Sequence, residues 1–146
     1  MASVGDVKEK VQRVLSNKLG SVRIDQDGDF IIEYNSAVTF VEVKKFGEEG
    51  VRVTFRTPLV IKMEITPEVY KWVATEGQAH WFGSCRVLLA EGKNTGSIWR
   101  DYTILGDDLD ESELVNAMMA MSFTGDELDN ELRDLFGGEL FGNEKD

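Results

Sequence analysis

Residues 105–138 read LGDDLDESELVNAMMAMSFTGDELDNELRDLFGG, and this stretch decides the fold. Asp110 stands at a favoured helix N-cap position, and Glu113 three residues on has the spacing of a capping box. Leu114, Met118, Met121, Gly125, Leu128, Leu132 and Leu135 then recur at 4-3-4-3-4-3 spacing, which makes one apolar seam along a helix. Gly137-Gly138 stops it. Gly125 in mid-seam costs about 1 kcal/mol against alanine, so a break, kink or close approach is expected there. Asp107, Asp108, Asp110, Glu111 and Glu113 could as a group hold a metal. Acids at a helix N-terminus have a simpler role, which is to meet the helix dipole.

Upstream of this helix the pattern changes to strands. Residues 84–91 and 97–105 are joined by Gly92-Lys93-Asn94-Thr95-Gly96, a hairpin signal. Thr66 and Pro67 open a short helix that runs to about Thr75, with Gly77 beyond it. Val51, Val53 and Phe55 alternate with Arg52, Thr54 and Arg56, the period of a half-buried strand. Pro58 cannot donate to a ladder, so a bulge, bend or edge is expected before residues 59–65. Residues 22–25, 30–34 and 37–46 form further strands, turned at Asp27-Gly28 and Asn35-Ser36. An opening helix starts at Ser3, with Asp6 in capping-box position, and carries Val4, Val7, Val11, Val14, Leu15 and Leu19 on one stripe. Short turns between neighbours imply a largely antiparallel sheet. The expected class is α+β, a twisted antiparallel sheet with helices in the order α-β-β-β(-β)-α-β-β-α. Residues 1–138 are expected to form one domain, and residues 139–146 an acidic tail loose except at Leu140 and Phe141.

Composition narrows the function. The chain has 146 residues and a net charge of −11, with one histidine (His80) and one cysteine (Cys85). That leaves no internal disulfide and no His/Cys set for zinc. Residues 107–146 hold 13 acids against Arg133 and Lys145 and so carry the whole net charge. No basic patch for nucleic acid survives that count. An acidic module favours basic partners and opposes anionic membranes. No apolar run approaches the roughly 20 residues of a membrane span, and the opening MASVGDVKEK is charged where a signal peptide is apolar. The expectation is a cytoplasmic protein.

Catalytic signals are weak. Asp25, Asp27 and Asp29 suggest a calcium loop, but the glycine falls at position 4 and position 12 is Ser36, so a hairpin turn fits better. Ser84 and Cys85 lie near His80 without a nucleophile elbow. Gly83, Gly92 and Gly96 lack the spacing and lysine of a phosphate loop. Neither an enzyme nor a cofactor is expected. The aromatics Trp72, Trp81, Phe82 and Trp99 gather around the second helix and the strands after it, where both core packing and a partner surface could use them.

These patterns resemble the YbjN-like family, related to the type III secretion chaperones, over nearly the whole chain. The resemblance lies in residues 30–34 and 38–43 and in Thr66-Pro67-Glu68-Val69. It is fullest in residues 105–110 with Glu113-Leu114, and in residues 125–132 ending at Phe136-Gly137-Gly138. Gly125 departs from the family pattern, which prefers alanine there. The resemblance implies a chaperone-like fold without catalytic residues, and binding of extended, partly unfolded protein segments by apolar patches and added strands. It also implies a homodimer built around the second helix and the next strand, where Val69, Trp72, Val73, Trp81 and Phe82 are the candidate partner-binding residues. The leading expectation is therefore a non-catalytic peptide- or protein-binding module with a protein client. A small-molecule-binding regulator is the alternative, and an enzyme a more distant one.

Overall fold

A computed structural model describes residues 3–142. Along the chain run α1 (Val4–Leu19), β1 (Arg23–Ile24), β2 (Phe30–Tyr34), β3 (Ala37–Phe46), β4 (Gly50–Glu64), α2 (Pro67–Ala74), β5 (Ser84–Leu89), β6 (Thr95–Leu105), α3 (Glu111–Phe136) and β7 (Glu139–Leu140). One antiparallel sheet has the order β1-β2-β3-β4-β6-β5, with β7 added to β4. This is the expected α+β class. The strand left open as one or two is a single bent strand, β4. Its ladder with β3 ends at Phe40 opposite Arg56, and its register against β6 shifts between Pro58 and Val60 and again before Met63. Pro58 therefore lies past the end of the β3 ladder, where β3 has no bond to lose.

All three helices pack on one sheet face. Ser3 and Asp6 cap α1 reciprocally, as their spacing implies. Helix α3 runs unbroken through Gly125. A Cβ at Gly125 would lie 2.7 Å from Thr57 Cγ2, so the glycine lets the helix backbone approach β4. Two expectations about this helix are corrected. Asp110 accepts from the Ser112 amide at 2.8 Å instead of forming a box with Glu113. The seam is buried from Leu114 to Leu132, but Leu135 is 58% exposed, because the last turn of the helix packs Phe136 rather than Leu135 against the second cluster.

The buried side chains fall into two clusters. The first joins α1, β2, β3, the first half of β4 and the first half of α3, around Val11, Val41, Phe55, Leu114 and Met121. The second joins the rest of β4 to α2, β5, β6, β7 and the second half of α3, around Leu59, Val69, Ile98 and Leu132. Buried polar groups mark the waist between them: the Thr39 and Thr57 hydroxyls 2.8 Å apart, Arg100, and Asp129. Leu140, excepted from the loose tail in that expectation, pairs with Val60 and is buried in the second cluster. Residues 143–146 of that tail lie outside the described residues.

The opposite sheet face carries a charge cluster. Glu42 is buried there beneath Lys44 at 3.2 Å, Arg52 at 3.2 Å and Arg56 at 3.5 Å. Burial raises its pKa, but the hydrogen bonds from Lys44 and Arg52 and the charges of Arg56 and Lys44 outweigh it and hold the carboxyl below its usual value. Alternation along β3 and β4 thus supplies an apolar face to the helices and a charge-laced one to the other side.

Candidate functional site

The five candidate residues separate. Val69, Trp72 and Val73 form the inward stripe of α2 and are buried in the second cluster. Thr66 caps that helix and Pro67 opens it, which fixes which face turns inward. Trp81 and Phe82 lie beyond Gly77 on the loop into β5, and Trp81 is 94% exposed. Arg100, fully buried on β6, donates to the Phe82 carbonyl and so ties this loop to the sheet. Phe82 meets Tyr102 edge-on at 5.7 Å. With Ala79, His80, Ala120 and Thr124, the two aromatics border an open depression of about 250 Å³.

A second apolar concavity was not anticipated. Between the end of α1, β2 and the middle of α3 lies a groove of about 220 Å³, lined by Leu19, Ile32, Tyr34, Met118, Met119 and Phe123. Tyr34 and Phe123 pack with ring centroids 4.8 Å apart, yet each keeps over a third of its surface exposed. The groove arises because two inward patterns outrun their cover. Leu19 is the last residue of the α1 stripe, and Tyr34 extends the inward row of Phe30 and Ile32. A surplus apolar residue at the end of each pattern is the signal that could have found it.

Beside this groove, the turn between β2 and β3 is fastened to α3. Asp126 accepts from Asn35 Nδ2 at 3.0 Å and from the Ser36 amide and hydroxyl at 3.2 and 2.9 Å. The Ser36 hydroxyl also lies 2.8 Å from Asp129, which accepts from Asn130 Nδ2 at 2.8 Å as well. Burial pushes Asp129 up to about 6 against these hydrogen bonds, with the Asp126 charge adding to the rise and Arg133 opposing it. At Asp126, burial is outweighed by the bonds from Asn35 and Ser36, and its pKa is lowered.

Residues with reactive chemistry do not converge. Cys85 is buried, and burial raises its thiol pKa, which disfavours the nucleophilic thiolate. Asp25 accepts from the amides of Asp27 and Asp29 at 2.9 and 3.0 Å, so this acidic stretch is a hairpin turn. Asp107 accepts from the Val51 amide and Asp110 caps α3. Among the described residues no three metal-ligating side chains gather, and no helix is long and apolar enough to cross a membrane.

No curated protein matches the chain in sequence. In structure it is similar to the Yersinia pestis type III secretion chaperone SycH, solved in complex with a stable fragment of YscM2. The TM-score is 0.53 at 10% identity, covering 83% of this chain and 98% of that one. At that identity the likeness is one of fold. The sequence model of TY-Chap1, described as T3SS (YopN, CesT) and YbjN peptide-binding chaperone 1, matches residues 5–144, and the chain belongs to that family.

Proposed function

We propose that this protein is a non-catalytic, cytoplasmic chaperone-like module that binds an extended segment of a client protein. The observation that carries the reading, beside family membership, is the groove between α1, β2 and α3, where Leu19, Tyr34 and Phe123 stay exposed around an apolar floor. An apolar side chain of the client fills such a groove, while the acidity of residues 107–146 favours basic residues flanking it. Reduced, carboxymethylated α-lactalbumin, which stays unfolded, is a suitable test client. Binding followed by fluorescence anisotropy should weaken at least about tenfold in Phe123→Asp, the loss of one anchor that a bound client covers. Equal binding by both proteins would remove the groove from the reading.

Homodimerisation belongs to the same proposal. Of the five candidate residues, Trp81 and Phe82 remain available to a second copy, and Trp81 offers nearly all of its surface. Sedimentation equilibrium of the wild type and Trp81→Ala tests this. A wild-type monomer at tens of micromolar would sink the dimer.

A further inference from the structure

Beyond Arg56, strands β3 and β4 part, and β7 stands in the gap. It contributes only two pairs, Leu140 with Val60 and Glu139 with Ile61. We propose that this edge of β4 is a strand-addition site for an extended client segment, and that β7 is its occupant in cis, displaced when a client binds. The inference rests on the peptide-binding reading and deepens it by naming an acceptor strand, an occupant and the client chemistry.

The occupant's side chains define that chemistry. Leu140 is buried among the second cluster and enters it from the sheet edge. Phe141 packs edge-on against Phe40 at 5.9 Å, and Glu139 meets Lys62 at 3.4 Å, both partners well exposed. Gly138 lies so close to β4 that a Cβ would stand 2.5 Å from Val60 Cγ1. The site thus reads glycine, any residue, an aliphatic anchor, then an aromatic. Main-chain bonds supply affinity at such an edge and alternate side chains supply specificity.

The attachment of β7 suits displacement. Gly137 and Gly138 have φ of +84° and +87°, a glycine hinge between helix and strand. Two ladder pairs, one buried anchor, one ring contact and one exposed ion pair hold β7, far fewer contacts than any other strand pair of β4 makes, which places it at the low end of local stability. The tether still gives it an effective concentration on the order of millimolar, so a client must match that advantage or find β7 loosened.

The full chain tests this by NMR with the blocked hexapeptide Gly-Gly-Glu-Leu-Phe-Gly, the sequence of residues 137–142. In Leu140→Ala the peptide should perturb the Val60 and Ile61 amides with affinity roughly tenfold above wild type, as expected of a weakened tethered competitor. Ile61→Cys/Glu139→Cys, directly opposed across the ladder, provides a reversible clamp even if Leu140→Ala fails to fold. Oxidised, it should abolish the perturbation, and reductant should restore it. Equal binding in the oxidised and reduced clamp, or no perturbation of the Val60 amide in the reduced clamp, overturns the proposal. Carboxymethylated α-lactalbumin separates the two readings. If it binds through Phe123 whatever the state of the clamp, peptide binding stands and the β4 site falls. If it binds nowhere while the hexapeptide titrates β4 only with the clamp open, the groove falls and the β4 site stands.

Discussion

The two ends of α3 look alike in sequence and do different work. Leu114, Met118 and Met121 close a core built with α1 and the β2–β4 strands. Leu128 and Leu132 close another, built with α2, β5, β6 and β7. The helix between them carries Gly125, Asp126 and Asp129, which face a threonine pair and a polar turn instead of apolar side chains. A single seam thus spans two cores and a polar waist. The apolar ends supply burial, and the waist fixes how the helix sits along the sheet, because hydrogen-bonded groups have fewer alternative partners than methyl groups.

The largest effects should come from the ends. Leu114→Ala and Leu132→Ala each remove a fully buried side chain and should cost about 2–5 kcal/mol in urea denaturation. If the two cores are cooperative, each substitution shifts one common transition. Two separated transitions in Leu132→Ala would break the chain into two folding units.

The waist responds to pH. Asp129 has a folded pKa of about 6 against 3.8, so the folded state binds its proton more tightly. Its contribution is full below the unfolded value and lost as pH rises through 6, a change of about 3 kcal/mol at most. Asp126 runs the other way, since a lowered folded pKa stabilises above the unfolded value and is lost as pH falls. Asp129→Asn keeps an acceptor for Asn130 and gains a donor for Ser36. It should be more stable than wild type at pH 7, with the gap closing towards pH 4. Parallel stability curves for the two proteins would show that Asp129 binds its proton equally well in the folded and unfolded chain.

A smaller effect is expected at the contact that lets α3 touch the sheet. Gly125→Ala gains helix propensity of about 1 kcal/mol but drives a methyl against Thr57, and overpacking costs about 1–3 kcal/mol. The net should be a loss of about 0–2 kcal/mol, and Thr57→Ser, which removes the opposing methyl, should recover most of it. A stabilised Gly125→Ala would mean that the helix can move off β4 at no cost.

The helix caps, the hairpin at Asp27-Gly28, the bulge near Pro58 and the buried faces were legible because each follows from local pattern. Arg100 was not: a lone arginine in a strand gives no sign that it will be buried under a loop carbonyl. Neither was β7, since a two-residue strand has no period and its partner lies some 80 positions away in the sequence. At the site, the aromatic window grouped Trp81 with Trp72, but neighbours in sequence were not neighbours in exposure. Gly77 separates the inward stripe of α2 from the loop that carries Trp81 and Phe82. The groove at Tyr34 and Phe123 needed three elements at once, and pattern reading treats each alone.

Leu135 provides the smallest and most discriminating test of the two ends. Heptad spacing places it with Leu132, and the structure leaves it 58% exposed where Leu132 is fully buried. Leu135→Ala should therefore change stability by less than about 0.5 kcal/mol, the range of surface substitutions. Its helix propensity changes little, since leucine and alanine both rank high. Denaturation at two protein concentrations separates the remaining outcomes. A loss near that of Leu132→Ala at both concentrations would mean the helix is rotated and the second core misassigned. A loss that appears only at high concentration would mean that another copy of the chain covers Leu135. That result would move the proposed self-association surface from the Trp81 loop to the end of α3.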